Sequence, residues 1–268
     1  TIHPLEEVAS YLVGYADGEQ RDCVVVDTRF VKKTDLRVLC PVRDLVHTPA
    51  PRTSNRMYGL LKQLIQRHRT TLVFTNTRSG TERVVHHLAR LRAVDGDRLG
   101  AHHSSLSREI RRGVEDRLKE GEMRAVVCST SLELGIDIGH IDSVVQIGSP
   151  KSISRCLQRI GRSGHALNRV SKGFLVGVER DDLVEDAVMV GEAYRGVLDR
   201  VHIPRNALDV LAQHIVGMAL EQRWRVVDAW RVVRRSYCYR DLPLEAFEAV
   251  LRYLSGGYAA LESYRVYG

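Results

Sequence analysis

The sequence predicts an α/β fold, a mostly parallel sheet covered by helices on both faces, followed by a small, mainly helical domain. Three observations predict it. Between about residues 55 and 195, short β-branched runs alternate with amphipathic stripes, the rhythm of strand–helix–strand crossovers. Two inner runs, Arg124–Cys128 and Val144–Ile147, are apolar at most positions, as strands buried on both faces are. After about residue 200 the strand runs stop and helical periodicity takes over.

Each element has its own signal. Residues 4–14 read as a helix, with Pro4 in the first turn, Glu6 and Glu7 at the positive end of its dipole, and Gly14 as its stop. Cys23–Asp27 and Leu36–Val42 read as strands, separated by the polar stretch Lys32–Asp35. Thr48-Pro49-Ala50-Pro51 breaks regular structure and reads as a linker. Met57, Leu60, Leu61, Leu64 and Ile65 form the next helical stripe, and Thr70–Thr75 a strand. Residues 79–94 fit a helix through Val84, Val85, Leu88 and Leu91. Leu106, Ile110, Val114 and Leu118 recur every four residues, and Gly121 ends that helix. Ser152–Ile160, then Gly173–Val178, then residues 181–194 continue as helix, strand and helix. Beyond residue 200, Leu208, Leu211, Ile215 and Ala219 share one helical face. Leu244, Phe247, Val250, Leu251 and Leu254 share another, and Tyr264–Tyr267 reads as a strand. A helix–helix–helix–strand order suits a winged helix or a plain helical appendage.

The net charge of +7, carried mostly by arginine, suits a phosphate-bearing partner without proving one. The five cysteines include no CxxC pair, so neither a zinc site nor a disulfide framework is expected, and a reducing, cytoplasmic setting is. No run approaches the length of a membrane span. The chain opens on Thr1, which fits an internal fragment at least as well as a processed protein.

Four polar segments carry the chemistry, and they are expected beyond the carboxyl edge of the sheet, where ligands gather in such folds. Gln158-Arg159-Ile160-Gly161-Arg162-Ser163-Gly164-His165 concentrates cations around two glycines. It reads equally as a solvated basic turn or as guanidinium groups offered to phosphate. Ser129, Thr130 and Ser131 follow a buried strand, with Gly135 and Asp137 shortly after. Hydroxyls there cap a helix or receive a backbone phosphate, and Asp137 suits a turn or a sugar hydroxyl. Thr75, Asn76 and Arg78 follow another strand and suit positioning of a nucleic-acid backbone. His102, His103 and Ser104 form the last segment. Adjacent histidines ligate one ion poorly and no Cys or carboxylate stands at a supporting spacing, so no metal site is expected.

These four segments, in this order, resemble the conserved blocks of the second RecA-like domain of superfamily-2 helicases. QRIGRSGH and TSLELGIDIG most resemble the Lhr, or large helicase-related, family. HPLEEVASYL after Thr1 resembles the end of that family's first RecA-like domain, and residues 206–256 resemble its winged-helix domain. The resemblance implies three parts: 1–50, the end of the first RecA-like domain and a linker; 51–198, the second RecA-like domain; and 199–268, a partial winged helix. It implies that Arg162 is the arginine finger toward the ATP γ-phosphate. Arg159 and Gln158 support it, at the nucleotide or by linking to the nucleic-acid side, and His165 stands where related motors place a second finger. Gly135, Asp137 and Gly161 fall near the nucleotide. Thr75, Asn76, Arg78, His103, Ser104, Ser129, Thr130 and Ser131 fall along the tracked strand.

The sequence contains no GxxxxGK[ST] loop and no DE-x-H block. In the family both belong to the first RecA-like domain. The resemblance therefore implies ATP and Mg2+ as cofactors of a longer protein, none held stably by this chain alone. The implied partners are single-stranded DNA or RNA, DNA or RNA–DNA duplexes, and the first RecA-like domain, with 3′-to-5′ movement. A nucleic-acid or protein binding module without motor activity is the alternative, and a structural role in a repair assembly a third.

Overall fold

The structure is a computed structural model and describes residues 2–27, 33–133, 138–164 and 170–257. In chain order its helices are α1 (Leu5–Val13), α2 (Ala50–Arg67), α3 (Arg78–Arg90), α4 (Arg108–Lys119), α5 (Ile153–Ile160), α6 (Arg180–Tyr194), α7 (Leu208–Glu221), α8 (Val226–Val233) and α9 (Leu244–Leu254). Its strands are β1 (Tyr15–Ala16), β2 (Glu19–Gln20), β3 (Thr34–Leu39), β4 (Thr71–Phe74), β5 (Leu99–His102), β6 (Ala125–Cys128), β7 (Ser143–Ile147) and β8 (Ser171–Val176).

The larger compact unit runs from Asp27 to Asp199. Its six strands pair in the order β3-β8-β7-β4-β6-β5, and every pairing is parallel. Side chains alternate across the pleat. Leu72, Phe74, Val126, Cys128 and Val144 enter a core with Leu118, Ile160 and Met189, from α4, α5 and α6. Val73, Ala125, Val127 and Val145 enter the other core with Leu61, Ile65 and Leu88, from α2 and α3. This is the two-sided, helix-covered parallel sheet that the strand–helix rhythm predicts.

Three local expectations change. Cys23–Asp27 is not a strand, and Val24 and Val26 are exposed; a β-branched run with no strand beside it has nothing to pair with. The proline-rich segment is no linker but the start of α2, with Pro49 at the N-cap and Pro51 in the first turn, where a missing N–H costs nothing. Leu99–His102, unmarked by β-branched residues, is an edge strand paired only to β6.

The division at residue 50 does not follow the packing. β3 pairs with β8 along its whole length, so residues 34–39 belong to the large sheet. The second compact unit gathers Ile2–Val26 with the chain from Arg200 onward. Its core joins Leu211, Ile215, Ala229, Val233, Phe247 and Val250 from α7, α8 and α9, a three-helix order consistent with a winged helix. The strand expected at Tyr264–Tyr267 lies outside the described residues. Among the described residues no helix is long and apolar enough to cross a membrane.

One buried group works against stability. Asp186 on α6 has no exposed surface, and neither carboxyl oxygen has a hydrogen-bond partner among the described residues. Burial, reinforced by Asp182 and Glu185, pushes its carboxyl up to about 7. Its acidity is weaker folded than unfolded, so the folded chain binds the extra proton between about pH 4 and 7. Stability therefore declines as pH rises through that window and levels off above it. Asp186→Asn should remove the decline and raise the melting temperature at pH 8, with little change at pH 4; thermal unfolding at the two pH values measures both.

Candidate functional site

The strand register assembles the first half of the site. Phe74, Cys128 and His102 stand level on β4, β6 and β5, so Thr75, Ser129 and His103 emerge side by side at the carboxyl edge. The Thr75 amide donates to the Cys128 carbonyl at 2.9 Å and locks two of these ends together. Just beyond, Asn76, Arg78, Ser104 and Thr130 are exposed. A cavity of about 590 Å³ opens here, lined in part by Thr75, Asn76, Thr77, Arg83 and Arg180. Arg83 and Arg180 carry no signal in the sequence, because a lone cation on an amphipathic helix looks like any solvated position.

Several expected strand-facing side chains are committed inside the domain. Thr75 is buried, and its hydroxyl lies 2.9 Å from both the Thr77 carbonyl and the Thr81 hydroxyl. The Ser131 hydroxyl donates to the His102 carbonyl at 2.8 Å and meets His102 Nδ1 at 2.6 Å. His103 is buried with Nε2 2.6 Å from Glu82. These contacts engage Thr75 Oγ1, Ser131 Oγ and His103 Nε2 inside the domain, while His103 Nδ1 is buried without a hydrogen-bond partner among the described residues. Arg78 is exposed and donates to Ser105 Oγ at 2.8 Å. His102 bonds Glu115 at 2.8 Å. Burial holds its imidazole below the usual range, with Glu115 pulling the other way.

Beneath this edge lies a buried polar network. Arg159 is 1% exposed. Its Nε and Nη2 donate to Glu133 Oε2 at 3.0 and 2.9 Å, and its Nη1 to Gln146 Oε1 at 2.7 Å and Asn76 Oδ1 at 3.4 Å. The guanidinium sits 5.1 Å over the Phe74 ring. Asn76 Nδ2 donates onward to the Ser149 carbonyl at 2.8 Å. A buried charge is tolerable only when paired and fully hydrogen-bonded, and Arg159 meets that condition. The network ties α5 to the ends of β4, β6 and β7. Glu133 and the strand ends enclose the Arg159 guanidinium.

Arg162 occupies the opposite edge. The turn after α5 is pinned where Gly164 N–H donates to the Ile141 carbonyl at 3.1 Å, just before β7. Ser163 Oγ donates to the Lys172 carbonyl at 3.2 Å, and Ser171 Oγ to the Ser163 carbonyl at 2.9 Å, both at the start of β8. Gly173 lets α5 descend this close, since a Cβ there would come within 2.7 Å of Ile160. The expectation that Arg162 issues from the carboxyl edge is therefore corrected: α5 starts at the carboxyl edge and carries its own end to the amino edge. Arg162 and Gln158 are half-buried, and Gly161 lies in the same turn. Gly135, Asp137 and His165 lie outside the described residues.

A guanidinium fork on a pinned turn suits phosphate oxygens. Among the described residues no group of three His, Cys, Asp or Glu side chains is arranged to hold a metal ion.

Comparison with known proteins agrees with this layout. Residues 56–166 match the family model for the helicase conserved C-terminal domain, and residues 192–268 match that for the winged-helix domain of large helicase-related proteins. The chain is 55% identical over 268 residues to ATP-dependent helicase Lhr-Core protein 2 of Thermococcus barophilus, covering all of this chain and 31% of that one. It is 54% identical over 269 residues to ATP-dependent helicase Lhr-Core of Methanothermobacter thermautotrophicus, again covering 31% of that protein. The chain thus spans about a third of the length of these relatives. Among solved structures, the Mycobacterium smegmatis helicase Lhr bound to ssDNA and AMP-PNP superposes with a TM-score of 0.86 at 37% identity, over 94% of this chain and 33% of that one.

Proposed function

The chain belongs to the large helicase-related family of superfamily-2 helicases, and we propose that it is the second motor domain and winged helix of a nucleic-acid-stimulated, ATP-driven helicase that moves 3′-to-5′ on single strands and unwinds DNA or RNA–DNA duplexes. The observation that carries this reading is the split between the two sheet edges. Exposed Asn76, Arg78, Ser104 and Thr130 lie at one edge, Arg162 at the other, and the Arg159–Glu133 pair holds the elements between them. The solved relative bound to ssDNA and AMP-PNP supports it.

In this reading ATP and Mg2+ are held chiefly by the preceding RecA-like domain, and bound ATP supplies the phosphoryl group whose charge must be stabilised. Arg162 presents its fork to that charge when the domains close. Gly161 keeps the turn narrow, and Gln158 steadies it from the last turn of α5. At the carboxyl edge, Arg78, Ser104, Ser129 and Thr130 hold the sugar-phosphate backbone beside Asn76, whose side chain the Arg159 network engages; such contacts position a strand without reading its sequence. Relative movement of the domains then shifts that grip along the strand.

The test compares ATP hydrolysis by the 268-residue chain with that of the protein at its relatives' length. The longer protein should hydrolyse ATP faster when single-stranded DNA is added, and the chain alone should stay at background. Turnover by the purified chain, or a longer protein indifferent to nucleic acid, would overturn the reading.

A further inference from the structure

The polar cluster at the edge strand β5 holds a proton that the motor reading does not use. Ser131 Oγ lies 2.8 Å from the His102 carbonyl oxygen and 2.6 Å from His102 Nδ1, and His102 Nε2 lies 2.8 Å from Glu115 Oε1. Each contact needs a hydrogen between its two atoms. A carbonyl only accepts, so the single hydrogen of the Ser131 hydroxyl is used there. Nδ1 must then donate to Ser131, and a neutral ring has no second N–H for Glu115. An ionised Glu115 facing a bare Nε2 would set two lone pairs against each other. All three bonds therefore hold together only with one proton more than a neutral histidine and a carboxylate bring, shared between Nε2 and Glu115.

Loss of that proton breaks a bond, and charge decides which. The bond to the carboxylate is charge-assisted, so the remaining ring proton stays on Nε2. Nδ1 becomes an acceptor and draws the Ser131 hydrogen away from the His102 carbonyl. While the proton is present, two bonds tie Ser131 to β5; after it leaves, only the bond to Nδ1 does. Ser129 and Thr130 lie between that tie and the Cys128 carbonyl, which the Thr75 amide holds at 2.9 Å. The firmness of this short loop thus follows the Ser131 hydroxyl.

His102 is buried. The groups around it are Glu115 and Arg111 from α4, His103 beside it with Glu82 of α3 on its Nε2, and Cys128 level with it on β6. Burial keeps Cys128 a thiol. Burial also loosens the ring's hold on its proton, Glu115 opposes this, and Arg111 and His103 act with burial. The proton therefore leaves below the ordinary histidine range. The double tie is present at acid pH and is lost as pH rises.

We infer that Glu115 and His102 are positioning residues for the strand-holding loop: the proton they share decides whether Ser131 is tied to β5 once or twice, and so how firmly Ser129 and Thr130 hold a nucleic-acid backbone. The inference rests on the proposed function for its ligand.

Glu115→Gln gives the sharpest test, because an amide can donate to Nε2. The ring then carries its proton on Nδ1, every bond forms without an extra proton, and the double tie no longer depends on pH. Glu115 is partly exposed and the exchange is nearly isosteric, so the melting temperature should move little. The experiment is fluorescence anisotropy of a labelled single-stranded oligonucleotide with the 268-residue chain, titrated from pH 8 down to pH 5. The imidazole 15N shifts of His102 are read in parallel. At pH 8 the variant should bind about fivefold more tightly than the wild type, the worth of a single hydrogen bond. The ratio should shrink toward unity as pH falls. At pH 8 the shifts should place the ring proton on Nε2 in the wild type and on Nδ1 in the variant. Glu115→Gln also removes a negative charge; introduced into Ser131→Ala, it should leave affinity unchanged. Equal affinities of wild type and variant at pH 8, a gain that survives in Ser131→Ala, or a ring proton on the same nitrogen in both proteins would overturn the inference and leave the motor reading standing. A wild-type chain that binds no oligonucleotide at any pH would remove the strand-holding edge from the motor reading, and this inference with it.

Discussion

Replacing Arg162 by alanine in the protein at its relatives' length should lower nucleic-acid-stimulated ATP hydrolysis by about 10³-fold, the lower end of what an arginine finger contributes to phosphoryl transfer. The variant should fold normally. The turn that carries Arg162 is also held by Gly164, Ser163 and Ser171 through backbone and hydroxyl bonds, and a melting curve of the variant checks its fold. Binding of nucleotide should weaken far less than turnover, because the finger acts on charge that develops in the transition state. Arg162→Lys should rescue only partly, since an ammonium is a point charge without the planar fork. Steady-state ATPase assays at saturating single-stranded DNA measure all three. Undiminished turnover in Arg162→Ala would remove this residue from the chemistry.

The second large effect belongs to Arg159 and Glu133, and it is one of stability. Glu133→Ala leaves a guanidinium buried without its carboxylate, an error that costs roughly 3–5 kcal/mol. For a unit of this size the melting temperature should fall on the order of 10 °C. Arg159→Ala should do similar damage by stranding Glu133, Gln146 and Asn76. The double variant Arg159→Met, Glu133→Leu should recover much of the lost stability, because an apolar pair asks for no compensation. If the network links the two edges, that recovered protein should still hydrolyse ATP yet separate strands poorly. Were Arg159 instead a group at the nucleotide, Arg159→Ala would lose ATP turnover while melting like the wild type. Calorimetry with strand-separation assays distinguishes the two.

The sheet was legible in the sequence because its signals are strong and local. Val126, Val127, Val144 and Val145 can only be buried strand, and the stripe through Met57, Leu61 and Ile65 can only be a helix on a core. β5 was not legible. Its Gly100, Ala101 and His102 have no β-preference, and it is a strand only because β6 offers an open edge. The start of α2 was hidden by Pro49 and Pro51, which read as breakers anywhere but in a first turn. The residue types of the site were legible, and their division of labour was not. Arg159 and Arg162 stand three apart in one basic run. Only the course of α5 across the sheet buries the first against Glu133 and delivers the second to the far edge. The internal partners of Thr75, Ser131 and His103 were not legible, because hydroxyls and imidazoles at strand ends suit a ligand and an internal partner equally well.

The claim that the two edges do different work is tested most directly by single-stranded DNA affinity in two variants of the longer protein. Ser129→Ala with Thr130→Ala should weaken binding by roughly tenfold, the loss of one or two hydrogen bonds to charged groups. Arg162→Ala should bind the same strand as tightly as the wild type. Equal affinities for wild type and the Ser129/Thr130 variant, or DNA binding lost with Arg162, would contradict the assignment of strand and nucleotide to opposite edges of the sheet.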